Sequence, residues 1–128
     1  MTVRAPEQSW FFAREYQDFH RTAVSRFVES VAPSVPAGAV IIDAGAGEAW
    51  YKPLFGHASY IGLDYAVGDA AWDYSKLDVI GRLETMPFAD NAFDRLLSIV
   101  VLEHTPEPAS VLGEFRRVLK PGGTIHMV

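Results

Sequence analysis

The stretch that most constrains the fold is Val40-Ile41-Ile42-Asp43-Ala44-Gly45-Ala46-Gly47-Glu48-Ala49. Three consecutive apolar residues run into an acid and then into a loop of small residues. A strand without polar alternation is covered on both faces, as in a parallel sheet. Gly45 and Gly47 let the backbone turn tightly and approach a ligand that no side chain blocks. Beyond the loop, Tyr51 to Phe55 can open a helix, with Pro53 limiting it to a first turn or a break. Three readings of the loop compete. A dinucleotide fingerprint needs a third glycine three residues after the second, and Trp50 stands there, too large for close helix–strand packing. A pyrophosphate at a helix N-terminus would also have Asp43 as a poor neighbour. An acid at the strand end suits a ligand with a cationic amine instead. The third reading is a glycine-rich turn with no ligand.

A chain of 128 residues is at most one domain, and 49% hydrophobic residues suffice for a core. The net charge of −5 argues against nucleic acid or an anionic membrane as partner. The chain has no cysteine, which excludes a disulfide framework, a thiol nucleophile and a thiolate metal site, and fits the reducing cytoplasm. No apolar stretch follows Arg4, so no signal peptide is expected, and the apolar run from Leu96 to Leu102 is too short to cross a bilayer.

In chain order, residues 1–37 read as a helical segment and 38–128 as the core. Phe12, Tyr16, Phe19, Ala23 and Phe27 recur at helical spacing and predict one apolar face of a helix from Glu7 to Ala32. A helix placed before the first strand can also wall off a substrate cleft, which makes Trp10, Phe11, Tyr16 and His20 pocket candidates. After Pro33, Pro36 and Gly38 come a first strand, Val40–Asp43, and a second, Ser59–Asp64, that again ends in an acid. In doubly wound sheets an acid at the second strand end accepts hydrogen bonds from ribose hydroxyls, and Asp64 has two oxygens to offer them. Leu77 to Ile80 reads as a short third strand and Arg95 to Leu102 as a fourth, with Glu103 and His104 just beyond it. Glu107 to Lys120 reads as a helix with Pro108 in its first turn and Val111, Leu112, Phe115, Val118 and Leu119 on its buried face. Pro121 and Gly122 stop it, and Thr124 to Val128 forms a fifth strand. The alternation predicts an α/β fold: a Rossmann-like, doubly wound, mainly parallel sheet of order 3-2-1-4-5 in a three-layer sandwich, with its cleft beyond the C-terminal strand ends.

Four segments, read together, resemble class I S-adenosylmethionine-dependent methyltransferases of the type 11-like branch that modifies small molecules. They are Val40 to Ala49, Ile61-Gly62-Leu63-Asp64, Met86 to Asp94, and Leu102-Glu103-His104-Thr105-Pro106 running on to Arg117 through Gly123. The resemblance implies S-adenosylmethionine as cofactor and a small-molecule methyl acceptor. It places Asp43, Gly45 and Gly47 around the methionine end, Asp64 at the ribose, Leu83 and Glu84 near the adenine, and Ser98 and Ile99 near the sulfonium. Ala49 replaces the family's third loop glycine, Arg82 stands where an adenine-side acid is often found, and the family's last two strands do not follow the fifth. That shortness motivates an alternative: a catalytically inactive module that acts through nucleoside binding or a protein partner, including self-association along the fifth-strand edge.

Methyl transfer needs positioning more than a nucleophile, so no triad is expected. An oxygen acceptor needs a base, and His104 is the nearest candidate, against the alternative of a loop residue bonded to backbone. His20, His57 and His126 do not cluster with carboxylates at metal-ligand spacing, so no metal site is expected.

Overall fold

The computed structural model describes residues 8–128, with side chains described from residue 18 onward. Helix α1 spans Gln8–Val31 and α2 spans Pro108–Val118. The strands are β1 (Val40–Ala44), β2 (Ser59–Asp64), β3 (Val79–Ile80), β4 (Phe93–Ser98) and β5 (Leu119–Met127). All pair in parallel in one sheet of order β3-β2-β1-β4-β5, the expected topology.

The unbroken apolar runs are explained by what covers the sheet. Adjacent residues of a strand point to opposite faces. Ile41 packs with Val28 and Val31 of α1 and with Phe55, Tyr60 and Leu97. Its neighbour Ile42 packs with Leu63, Leu96 and the α2 residues Val111, Phe115 and Val118. Each helix thus covers one face, which makes three layers.

Several boundaries differ from expectation. The buried stripe of α1 is Val24, Val28 and Val31, while Phe19 and Ala23 are exposed. Two apolar rows lie side by side on this helix, and the compact β-branched row fits against the sheet. Leu112 of α2 is likewise exposed. Strand β4 stops at Ser98, short of Leu102, because Val100 adopts a left-handed backbone (φ +55°) that turns the chain out of the sheet. Strand β3 is only two residues long. Strand β5 follows α2 without a linker, and Pro121 to Gly123 are absorbed as an irregularity between the Phe93↔Leu119 and Arg95↔Thr124 pairs. The crossovers into β2, β3 and β4 carry only 3-10 turns, at Lys52–Phe55, Tyr74–Lys76 and Leu83–Thr85.

Two polar ties fix these crossovers. Arg117 donates to the carbonyls of Phe88 (2.8 Å) and Met86 (3.0 Å) and pairs with Glu114 (2.7 Å) and Asp90 (2.9 Å). Glu114 in turn accepts the Met86 N–H, so the 86–90 turn is clamped onto α2. Asp94 accepts the Val40 N–H at 2.8 Å and pairs with Lys120, joining the starts of β4, β1 and β5.

Candidate functional site

Strand order reverses between β1 and β4, because the chain proceeds from β1 to β2 on one side and returns to β4 on the other. Ligands of open α/β sheets settle at such a reversal, beyond the C-terminal strand ends. A cavity of about 860 Å³ lies there.

Asp43, on the central strand, is among the residues lining it, although its side chain is almost wholly covered (1% exposed). Its Oδ2 accepts the Tyr60 hydroxyl at 2.5 Å, and among the described residues its other oxygen accepts nothing. Burial pushes the Asp43 carboxyl up to about 7; the Tyr60 bond opposes this rise and the Asp64 charge adds to it. Burial and the Asp43 charge likewise push the Tyr60 hydroxyl up, so Tyr60 stays a protonated donor. A buried carboxylate with an unused acceptor calls for a cationic donor, which would restore its ordinary acidity.

Asp64 lines the same cavity from the end of β2. Its oxygens accept the N–H groups of Gly47 (2.9 Å) and Ala66 (2.8 Å), which fixes the carboxylate's direction and leaves lone pairs for further donors.

The loop between the two acids is committed to β2. Gly45 and Ala46 both donate to the Leu63 carbonyl, at 2.8 and 3.0 Å, and Gly47 donates to Asp64. Gly45 (φ +88°) passes so close to Val101 that a Cβ there would lie 2.5 Å from Val101 Cγ2. At Gly47 (φ +55°) a Cβ would meet nothing within 4 Å, so this glycine leaves bare backbone at an open space. A phosphate-cradling loop presents such amides to its ligand, and a long helix follows it. Here the amides of residues 45–47 are already bonded, and only the Lys52–Phe55 turn follows. The geometry opposes a dinucleotide and suits a ligand with an amine and vicinal hydroxyls.

Leu83, Glu84, Ile99, His104 and His20 also line the cavity. Ser98 does not: it is fully buried, and its hydroxyl has no partner among the described residues. His104 sits at the end of the Leu102–His104 turn, exposed, with its own N–H bonded to the Val101 carbonyl. The side chains of Trp10, Phe11 and Tyr16 lie outside the described residues. Sequence reasoning missed Arg21 and the aromatic residues Trp50, Tyr65, Trp72 and Tyr74 of this wall. The available signal was two tryptophans, Trp50 and Trp72, with Tyr65 and Tyr74, set in the two crossovers that flank β2. Among the described residues no group of three or more histidines and acids could hold a metal ion, and no helix is long and apolar enough to cross a membrane.

Residues 42–127 match the family described as methyltransferase domain. An uncharacterized methyltransferase of Mycobacterium leprae is 35% identical over 98 residues, covering 70% of this chain and 36% of its own length. The chain thus spans little more than a third of the length of the curated mycobacterial relatives it matches. The YcgJ protein of Bacillus subtilis superposes with a TM-score of 0.71 at 20% identity, covering 80% of this chain and 50% of that one. A SAM-dependent methyltransferase of Thermotoga maritima superposes with a TM-score of 0.65 at 26% identity, covering 91% and 57%.

Proposed function

The chain belongs to the methyltransferase-domain family, and from that footing we propose that it binds S-adenosylmethionine and takes part in transferring a methyl group to a small organic acceptor. The observation that carries this reading is the meeting of two strand-end acids, Asp43 and Asp64, at one cavity floored by bare glycine backbone. When bound, the cofactor supplies a methyl group on a positively charged sulfur.

The protein's part is to hold and orient. The unused oxygen of Asp43 would hold the cofactor's ammonium, an interaction that burial strengthens. Asp64, already aimed by two backbone amides, would take the ribose hydroxyls at about 1.5–3 kcal/mol for each charge-assisted bond. Leu83 and Glu84 would face the adenine and Ile99 the methionine portion, while Ser98, buried and outside the lining, would have no contact with the cofactor. His104, which lines the cavity, would receive a proton released by an acceptor hydroxyl or amine. Alignment of acceptor and cofactor can supply about 7–11 kcal/mol of barrier lowering without a covalent intermediate.

Titration calorimetry with S-adenosylhomocysteine tests the reading; no heat at millimolar ligand sinks it. Asp64→Ala should weaken binding at least tenfold, about 1.4 kcal/mol. Unchanged affinity would remove Asp64 from the site.

A further inference from the structure

Besides the strand-end acids, the cavity has a second chemical character, an aromatic wall. Trp50 and Trp72 line it while remaining 65% and 49% exposed. Trp72 and Tyr74 lean together, ring centroids 6.1 Å apart. The polar tips of two of these rings are already used: Trp50 Nε1 donates to Glu48 Oε2 at 3.0 Å, and the Tyr74 hydroxyl accepts the Gly68 N–H at 2.8 Å. Glu48 also accepts the Asp73 N–H at 2.8 Å, so a single carboxylate straps the 72–74 segment to the indole of Trp50. What these rings leave for a ligand is mainly apolar, planar surface.

Charge is placed at the edge of that surface. The guanidinium of Arg21, on α1, stands 5.7 Å from the Trp50 ring centre. Among the described residues Arg21 has no ion pair, and the nearby Glu48 carboxylate is committed to its two donors. Arg82, the cavity's other arginine, has Glu84 at 3.9 Å. The cavity therefore carries charge of both signs, the acids Asp43 and Asp64 at the strand ends and the Arg21 guanidinium beside Trp50.

We propose that Arg21, Trp50, Trp72 and Tyr74 seat the methyl acceptor, and that the acceptor is a planar aromatic carboxylate. The rings take its face and Arg21 takes its anion by paired N–H donors, a geometry a planar guanidinium fits better than an ammonium. The acceptor role rests on the methyltransferase reading; the carboxylate preference rests on the wall itself.

The test uses the full chain saturated with S-adenosylhomocysteine and follows tryptophan fluorescence. Benzoate, 2-naphthoate and quinoline-2-carboxylate are titrated alongside their primary amides. At least one carboxylate should bind about tenfold or more tightly than its amide. Arg21→Gln should erase that preference while leaving S-adenosylhomocysteine affinity within about twofold, and Arg21→Lys should keep part of it. The assignment is overturned if none of the carboxylates binds, if amides bind as tightly, or if Arg21→Gln changes nothing. It is also overturned if Arg21→Gln removes S-adenosylhomocysteine binding, which would put Arg21 in the cofactor site. Failure of the wild-type chain to bind S-adenosylhomocysteine overturns the methyltransferase reading, and the acceptor role with it.

Discussion

Burial makes Asp43 a proton-binding group near neutral pH. Its carboxyl titrates near 3.8 when unfolded and near 7 when folded, so between those values the native chain holds a proton the unfolded chain has released. Stability contributed at this residue is therefore present below about pH 4, falls as pH rises by up to about 1.4 kcal/mol per unit, and levels off above about 7. Urea midpoints at pH 5 and pH 8 should show this fall in the wild type, and Asp43→Asn should remove it while keeping an acceptor for Tyr60. Affinity for a cationic ligand should run the opposite way, rising with pH to about 7 as the carboxylate forms. The two loop glycines should separate folding from binding. Gly45→Ala places a methyl against Val101 at positive φ and should destabilise by about 1–3 kcal/mol, read by thermal unfolding. Gly47→Ala should cost only about 1 kcal/mol, since Ala49 and Ala66 already occupy the same backbone region, yet lower S-adenosylhomocysteine affinity at least tenfold. Strand-end acids and small loop residues were legible in the sequence because their position on an apolar run announces them. Which of Ser98 and Ile99 faces the cavity was not, because the strand ends between them and the sequence does not mark that end.

Among the elements, β1 and β2 were legible because both faces are covered and the apolar runs are unbroken. Arg21 and the aromatic wall were not, because loops 48–51 and 65–74 have no periodicity and are brought together by Glu48 across 25 residues of chain. The end of β4 was misplaced because the left-handed turn at Val100, a β-branched residue, has no glycine or asparagine to mark it. The early end of α2 has its own local cause: Leu119 leaves the helix with an extended backbone while its N–H still bonds the Phe115 carbonyl. Arg117 couples α2 to the turn that leads into β4. Arg117→Met should lower the melting temperature and raise hydrogen exchange at the Met86 and Phe88 amides, while secondary-structure content by circular dichroism stays near wild type. Exchange unchanged at those amides would show that the turn holds without the clamp.

At the scale of the whole molecule, the sheet has one long open margin. Strand β5 is bonded only to β4, and Ile125 and Met127 are 39% and 45% exposed. An open parallel edge with apolar side chains invites pairing with another strand. The 128-residue chain should therefore gain apparent mass with concentration in sedimentation velocity, and Ile125→Lys should suppress the gain; a monomer throughout would leave the alternative of a partner-dependent, non-catalytic module without its physical motive.

The bonding of Gly45, Ala46 and Gly47 into β2 also limits how the cleft could be repurposed. A diphosphate would find these amides already spoken for, whatever side chains the loop carried, so trimming Trp50 alone would not recruit a redox nucleotide. An engineer seeking that exchange would have to reset the path of the segment around Leu63 first.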